Sequence, residues 1–197
     1  MPWWRPVQVT VTDEGLNGLG IHLLNETAVM VRAILTLTCL QDGRTVVMHR
    51  ERELELPACS AQTLTSAGLI GSFFDITYAY RFGPPPIDAA VLTLVDAATG
   101  RRLSEAAHFP LGRAALGHDA GLWAELGHDK AGSVLCIRTT RLAPCMQIED
   151  AHYRAEDEGF LLLPGEERQV RLLAVDGATA PPSGRIFSGC GTEEVRY

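Results

Sequence analysis

The sequence predicts an all-β protein, two immunoglobulin-like β-sandwich domains in tandem. Three observations carry that expectation. The 19 glycines and 11 prolines fall between short apolar runs, the punctuation of many short strands. Several of those runs alternate apolar and polar residues with period two, the repeat of a half-buried strand. The segment Pro110–Gly121 contains three glycines and no alternation, which places a domain division there, 1–112 against 113–197.

In chain order, Val7–Thr12 (Val-Gln-Val-Thr-Val-Thr) alternates strictly and reads as the first strand. Leu19–Leu24 follows a glycine-rich turn at Gly15–Gly18. Val31–Leu40 is rich in Val, Ile, Leu and Thr and ends at Gln41-Asp42-Gly43. Asp-Gly between two such runs signals a hairpin, because both central residues of a type I′ turn need φ > 0. Thr45–His49 is then the returning strand. Glu51–Leu56 sets Leu54 and Leu56 inward and Glu53 and Glu55 outward until Pro57 stops it. Thr63–Ile70 reads as a short helix or an irregular crossover.

Phe73–Pro86 is the densest aromatic stretch. Asp75–Phe82 reads as a central strand, with Ile76, Tyr78, Tyr80 and Phe82 forming one buried face. Gly83 and three prolines end it, since proline offers no backbone donor. Ala89–Val95, a turn at Ala97–Gly100 and Arg102–Phe109 bring the first domain to about eight strands, close to an immunoglobulin-like count.

The second domain offers Leu122–Leu126, Ser133–Thr139, Met146–Glu149, Phe160–Leu163, Gln169–Val175, Arg185–Phe187 and Glu193–Arg196 as strands. Pro164-Gly165 has the signature of a type II turn. From Leu122 on it has roughly 75 residues, so its core is small and it is expected to lean on the first domain.

A hydrophobic content of 46% and a charged content of 21% are those of an ordinary globular protein. The net charge of −7, with Lys130 the single lysine, argues against a nucleic-acid or anionic-membrane surface, which needs clustered Lys and Arg. No apolar run reaches the ~18 residues that span a bilayer. The start, Met-Pro-Trp-Trp-Arg-Pro, lacks the apolar core of a signal peptide. The five cysteines, Cys39, Cys59, Cys136, Cys145 and Cys190, form no C-x-x-C pair and read as small buried hydrophobes, so no structural disulfide is expected.

Candidate chemistry is sparse. His118, His128 and His152 stand near acidic residues without metal-ligand spacing. Glu149-Asp150 and Glu156-Asp157-Glu158 read as solvated carboxylates. Ser188-Gly189-Cys190-Gly191 lacks the strand–turn–helix setting of an exposed nucleophile and reads as a turn. No phosphate-binding glycine loop is present. Trp3, Trp4 and Trp123 could pack in a core, make a domain contact or form a sugar platform. Asn25-Glu26-Thr27 is a glycosylation sequon. No residue is assigned a catalytic, cofactor-binding or metal-ligating role, and no cofactor is expected.

Asp-Ile-Thr-Tyr-Ala-Tyr-Arg-Phe-Gly-Pro-Pro, residues Asp75–Pro85, resembles a segment of the C-terminal β-sandwich region of bacterial β-mannosidase-like enzymes of glycoside hydrolase family 2. Pro6–Val9, His22–Thr27, His108–Arg113, Met146–Asp150 and Asp157–Glu166 resemble further parts of that region. Glu158-Gly159 departs from it where Asn and an aromatic are expected. The resemblance implies a non-catalytic accessory region that packs against a catalytic (β/α)₈ barrel. In that family the acid/base glutamate follows an asparagine, but it belongs to the barrel. Asn25-Glu26 here ends a sandwich strand, so no catalytic residue carries over. The chain alone is expected to hydrolyse no glycoside. A carbohydrate-binding module, with carbohydrate as partner, and a structural interaction module are the alternatives.

Overall fold

The computed structural model describes residues 5–116, 119–175 and 180–197. Of the described residues, 55% are strand and 6% helix, which establishes the all-β class. The chain divides into two compact units, one ending at Ala115 and the other running Leu116–Tyr197.

The first unit contains β1 (Val7–Asp13), β2 (Leu19–Asn25), β3 (Val31–Gln41), β4 (Thr45–Leu56), β5 (Ser60–Thr65), α1 (Ser66–Ile70), β6 (Ala89–Asp96) and β7 (Arg102–His108). One antiparallel sheet has the order β1-β2-β5 and the other β4-β3-β6-β7. The chain crosses between them after β2, after β4 and after α1. Val7, Val9, Ile21 and Leu23 from the first sheet share a core with Leu35, Leu37, Leu92 and Leu94 from the second. Cys39 lies in this core with no exposure, and burial pushes its thiol up to about 12. The buried amide of Val9 donates to Ser104 Oγ at 3.1 Å, tying β1 to β7.

The Asp-Gly hairpin forms as its chemistry predicts. Asp42 and Gly43 have φ of 54° and 60°, and Arg44 N donates to Gln41 O at 3.1 Å. The returning strand β4 is one 12-residue strand rather than two, with a register shift opposite Cys39 and Leu40. It forms an edge of its sheet, with Glu51, Glu53 and Glu55 exposed and Leu56 buried. At the end of β7, His108 Nε2 lies 3.8 Å from Asp13 Oδ2 and has no hydrogen-bond partner among the described residues. Burial holds this imidazole below its ordinary value, with the Asp13 carboxylate pulling the other way.

The expectation for Asp75–Phe82 is overturned. No strand forms between α1 and β6, and the described residues of this unit form seven strands, not about eight. The seventh place is filled by Ser60–Thr65, which pairs with β2. The reason lies in Asp75. Its carboxylate accepts from the backbone amides of Ala79 at 2.8 Å and Tyr80 at 3.2 Å, so these donors are diverted from any ladder. Of the four residues expected on the buried face, only Ile76 is fully buried.

The second unit has β8 (Trp123–Asp129), β9 (Gly132–Arg138), β10 (Ala143–Asp150), β11 (Tyr153–Ala155), β12 (Phe160–Leu162), β13 (Glu167–Ala174), β14 (Gly184–Ser188) and β15 (Glu194–Arg196). Its sheets have the orders β12-β10-β14-β15 and β11-β13-β9-β8. Ile148, Phe160 and Ile186 meet Ile137, Val170 and Leu172 in the core between them. The Leu163–Glu166 turn has Gly165 at φ 76° and a Glu166 N to Leu163 O bond of 3.0 Å, the type II geometry. The two sandwiches together make the all-β architecture the sequence predicts.

Candidate functional site

Residues 71–88 form a self-supported crossover over the first unit. Ile76 plugs the core below it. Thr77 Oγ1 donates to Gly15 O at 2.8 Å, and Tyr78 OH donates to Gly83 O at 2.7 Å. Tyr78 and Arg81 stand at φ 55° and 53°, a left-handed conformation that costs a side-chain-bearing residue roughly 1–2 kcal/mol. This bent path turns three rings outward: Phe73 is 70% exposed, Tyr80 43% and Phe82 85%. They touch one another. Phe73 and Tyr80 meet edge to face at 5.5 Å between centroids, and Tyr80 and Phe82 stack at 6.4 Å. The three rings form a contiguous exposed aromatic patch, the kind of surface that marks interaction sites more often than singly exposed rings do.

Beside the patch lies a cleft of about 600 Å³ with both polar and apolar walls, bounded by Phe73, Phe74, Glu14, Asn17, His22 and Thr63. A chain of hydrogen bonds runs across its floor. Thr12 Oγ1 donates to Glu14 Oε1 at 2.6 Å. With its hydrogen committed, Thr12 accepts from His22 Nε2 at 2.9 Å. In the neutral tautomer that carries its proton on Nε2, His22 Nδ1 accepts from Thr63 Oγ1 at 3.2 Å. Gly20 makes room for this arrangement: a Cβ there would stand 2.7 Å from Thr12 Oγ1 and 3.1 Å from Glu14 Oε1. At one wall, Leu19 N donates to Ser66 Oγ at 2.9 Å.

The residues singled out in the sequence lie elsewhere. Trp3, Trp4 and His118 are outside the described residues. Trp123 opens β8 with the Arg138 guanidinium 4.8 Å above its ring. His128 is exposed and bonded to Ser133 Oγ at 3.2 Å, and His152 sits in an exposed turn. Glu149 is held by Arg185, at 2.6 Å from Nη2. Asp150 shapes a turn, accepting from the amides of His152, Tyr153 and Ser183. Both are thus engaged rather than merely solvated. Asp157 pairs with Arg168, whose guanidinium lies 4.3 Å over Phe160, while Glu156 and Glu158 are exposed. Ser188 is buried, donating to Pro144 O at 2.7 Å. Glu26 is exposed in the turn after β2. Among the described residues no group of His, Cys, Asp and Glu converges as a metal site would, and no helix is long and apolar enough to cross a membrane.

Sequence reasoning missed the patch because alternating aromatics imitate a buried strand. The cleft left a fainter trace: a glycine within an apolar strand, two residues before a histidine.

No protein-family model matches the sequence, and no curated protein sequence matches it. Solved structures do share its fold. The exo-chitosanase CsxA of Amycolatopsis orientalis superposes with a TM-score of 0.65 at 15% identity, covering 98% of this chain and 26% of that one. The β-D-mannosidase of Dictyoglomus thermophilum superposes with a TM-score of 0.67 at 15% identity, covering 86% of this chain and 20% of that one. The chain therefore spans about a quarter or less of the length of these proteins. The resemblance to β-mannosidase-like enzymes holds at the level of the fold.

Proposed function

We propose that this chain is a non-catalytic accessory region of a β-mannosidase-like glycoside hydrolase, packing against the catalytic barrel and supporting it. The observation that carries the reading is the near-complete match of this chain to a minor part of two glycosidases. The resemblance of Asp75–Pro85 to the same enzymes supports it, and so does the exposed Phe73–Tyr80–Phe82 patch, a surface fit for a protein partner. The sandwiches would be joined within Pro110–Gly121, 1–112 on one side and 113–197 on the other.

The chemistry of the visible carboxylates agrees. A retaining glycosidase needs two carboxyl groups roughly 5–5.5 Å apart in a concave, water-excluding site. Glu149 and Asp157 are instead neutralised by arginines, and Asp150 accepts backbone amides.

The test is an assay on aryl β-mannoside and aryl β-galactoside of the chain alone, of the catalytic barrel alone and of the two joined. The chain alone should give no turnover, and joining it to the barrel should raise the barrel's melting temperature or activity. Turnover by the chain alone that disappears on mutation of one of its carboxylates would overturn the reading, as would a barrel indifferent to its presence. A second reading, a carbohydrate-binding module, is favoured by the aromatic-walled cleft beside the patch.

A further inference from the structure

We propose that the cleft over Gly20 is a binding subsite for a single pyranose ring, with the ring's C–H face against Phe73 and its hydroxyls on Glu14, Asn17 and Thr63. The choice of a sugar as ligand rests on the glycoside hydrolase reading; the construction of the site does not.

The hydrogen-bond chain on the cleft floor has no role in the core. Thr12, His22 and Thr63 stand on the outward side of the β1-β2-β5 sheet, and Val11, Ile21 and Leu64 between them pack on the core side. Ordering four polar side chains on a wet sheet face costs rotamer entropy and returns little stability. Gly20 adds to that cost, because a glycine inside a strand weakens it. The arrangement instead presets acceptors. The Thr12 hydroxyl engages one Glu14 oxygen, leaving the carboxylate with further lone pairs. With His22 protonated on Nε2, Thr63 gives its hydrogen to Nδ1 and keeps its own lone pairs. Fixed acceptors beside an exposed ring suit a ligand with many hydroxyl donors and an apolar face.

The walls are preset as well. Thr77 is bonded to Gly15 across the rim, and Leu19 to Ser66 at the base. The volume of about 600 Å³ falls within the range of small-molecule sites and admits one ring with its first water shell.

The experiment is a ¹⁵N NMR titration of the full 197-residue chain with methyl β-D-mannopyranoside and, separately, methyl β-D-glucosaminide. Saturable shifts should appear at Gly20, His22, Thr63 and Phe73 for at least one sugar, with a dissociation constant on the order of 1–10 mM. Phe73→Ala and Glu14→Gln should each weaken binding by about tenfold or more, whereas Phe82→Ala, which alters the patch but not the cleft, should leave it unchanged. Absence of saturable shifts with both sugars would overturn the proposal, as would shifts centred elsewhere or an equal loss in Phe82→Ala. Since the titration contains no barrel, its failure leaves the accessory reading to its own test.

Discussion

The side-chain amide of Asn25 donates to the backbone carbonyl of Leu56 at 2.9 Å, joining the end of β2 to the end of β4 across the first unit. The same nitrogen lies 2.9 Å from the carbonyls of Val29 and Pro57, and the amide oxygen accepts from Thr27 N and Oγ1. Asn25 is 1% exposed. Thr27 Oγ1 and Ser60 Oγ still serve the Val29 and Pro57 carbonyls when this side chain is removed, but the buried bond to Leu56 O and the acceptor of the two Thr27 donors are lost, so Asn25→Ala should lower the unfolding free energy by about 2–3 kcal/mol in urea melts. Asn25→Asp, which sets a carboxylate against carbonyl oxygens, should cost more. For the same reason the sequon Asn25-Glu26-Thr27 should remain unglycosylated in the folded chain, and a glycan mass on natively folded protein would contradict this placement.

The crossover makes a contrasting pair of expectations. Ile76 has no exposure and Phe82 is 85% exposed. Ile76→Ala should cost about 2–5 kcal/mol, the range for emptying a packed aliphatic site. Phe82→Ala should change stability by no more than about 0.5 kcal/mol. Denaturant melts of the two variants, measured side by side, decide whether the aromatic residues face out.

His108 gives the first unit a pH dependence. Burial lowers its affinity for a proton in the folded state, outweighing the opposing pull of the Asp13 carboxylate. The unfolded chain then binds the proton first, so stability is fully present above the unfolded value of about 6.5 and declines as pH falls through it toward the lower folded value. In His108→Gln this part of the pH dependence should be missing. Identical stability–pH curves between pH 5 and 8 for the two proteins would refute the assignment.

The cysteines should separate by reactivity. Burial pushes the Cys39 thiol up to about 12, whereas Cys59 is exposed in the loop before β5. Alkylation of the native protein followed by peptide mass spectrometry should label Cys59 early and Cys39 only after denaturation. Early labelling of Cys39 would show that the core opens far more readily than its packing implies.

Where a short stretch decides its own conformation, the sequence was readable. Asp42-Gly43 and Pro164-Gly165 form the turns their dihedral needs require, and Val7–Asp13 and Val31–Gln41 are strands because their alternation meets a real core. Asp75–Phe82 failed for a physical reason. Its period-two aromatics are compatible with a strand, but the Asp75 carboxylate captures the amides of Ala79 and Tyr80 and bends the chain. Ser60–Thr65 became a strand through pairing with β2, some forty residues away, which no local pattern announces. The cleft was hidden similarly: Thr12, Glu14, His22 and Thr63 each read as ordinary polar positions until β1, β2 and β5 are set side by side.

The long edge strand β4 also governs how copies of this protein meet at high concentration. Arg50 and Gln62 side chains occupy the His49 and Glu55 carbonyls, but an open edge can still template another strand, the first step of fibrous aggregation. The exposed row Glu51, Glu53 and Glu55 opposes that step. An incoming antiparallel copy would set glutamate beside glutamate along the new seam, an arrangement that like charges directly opposite one another disfavour. Charge along this border therefore disfavours self-templated growth of the sheet.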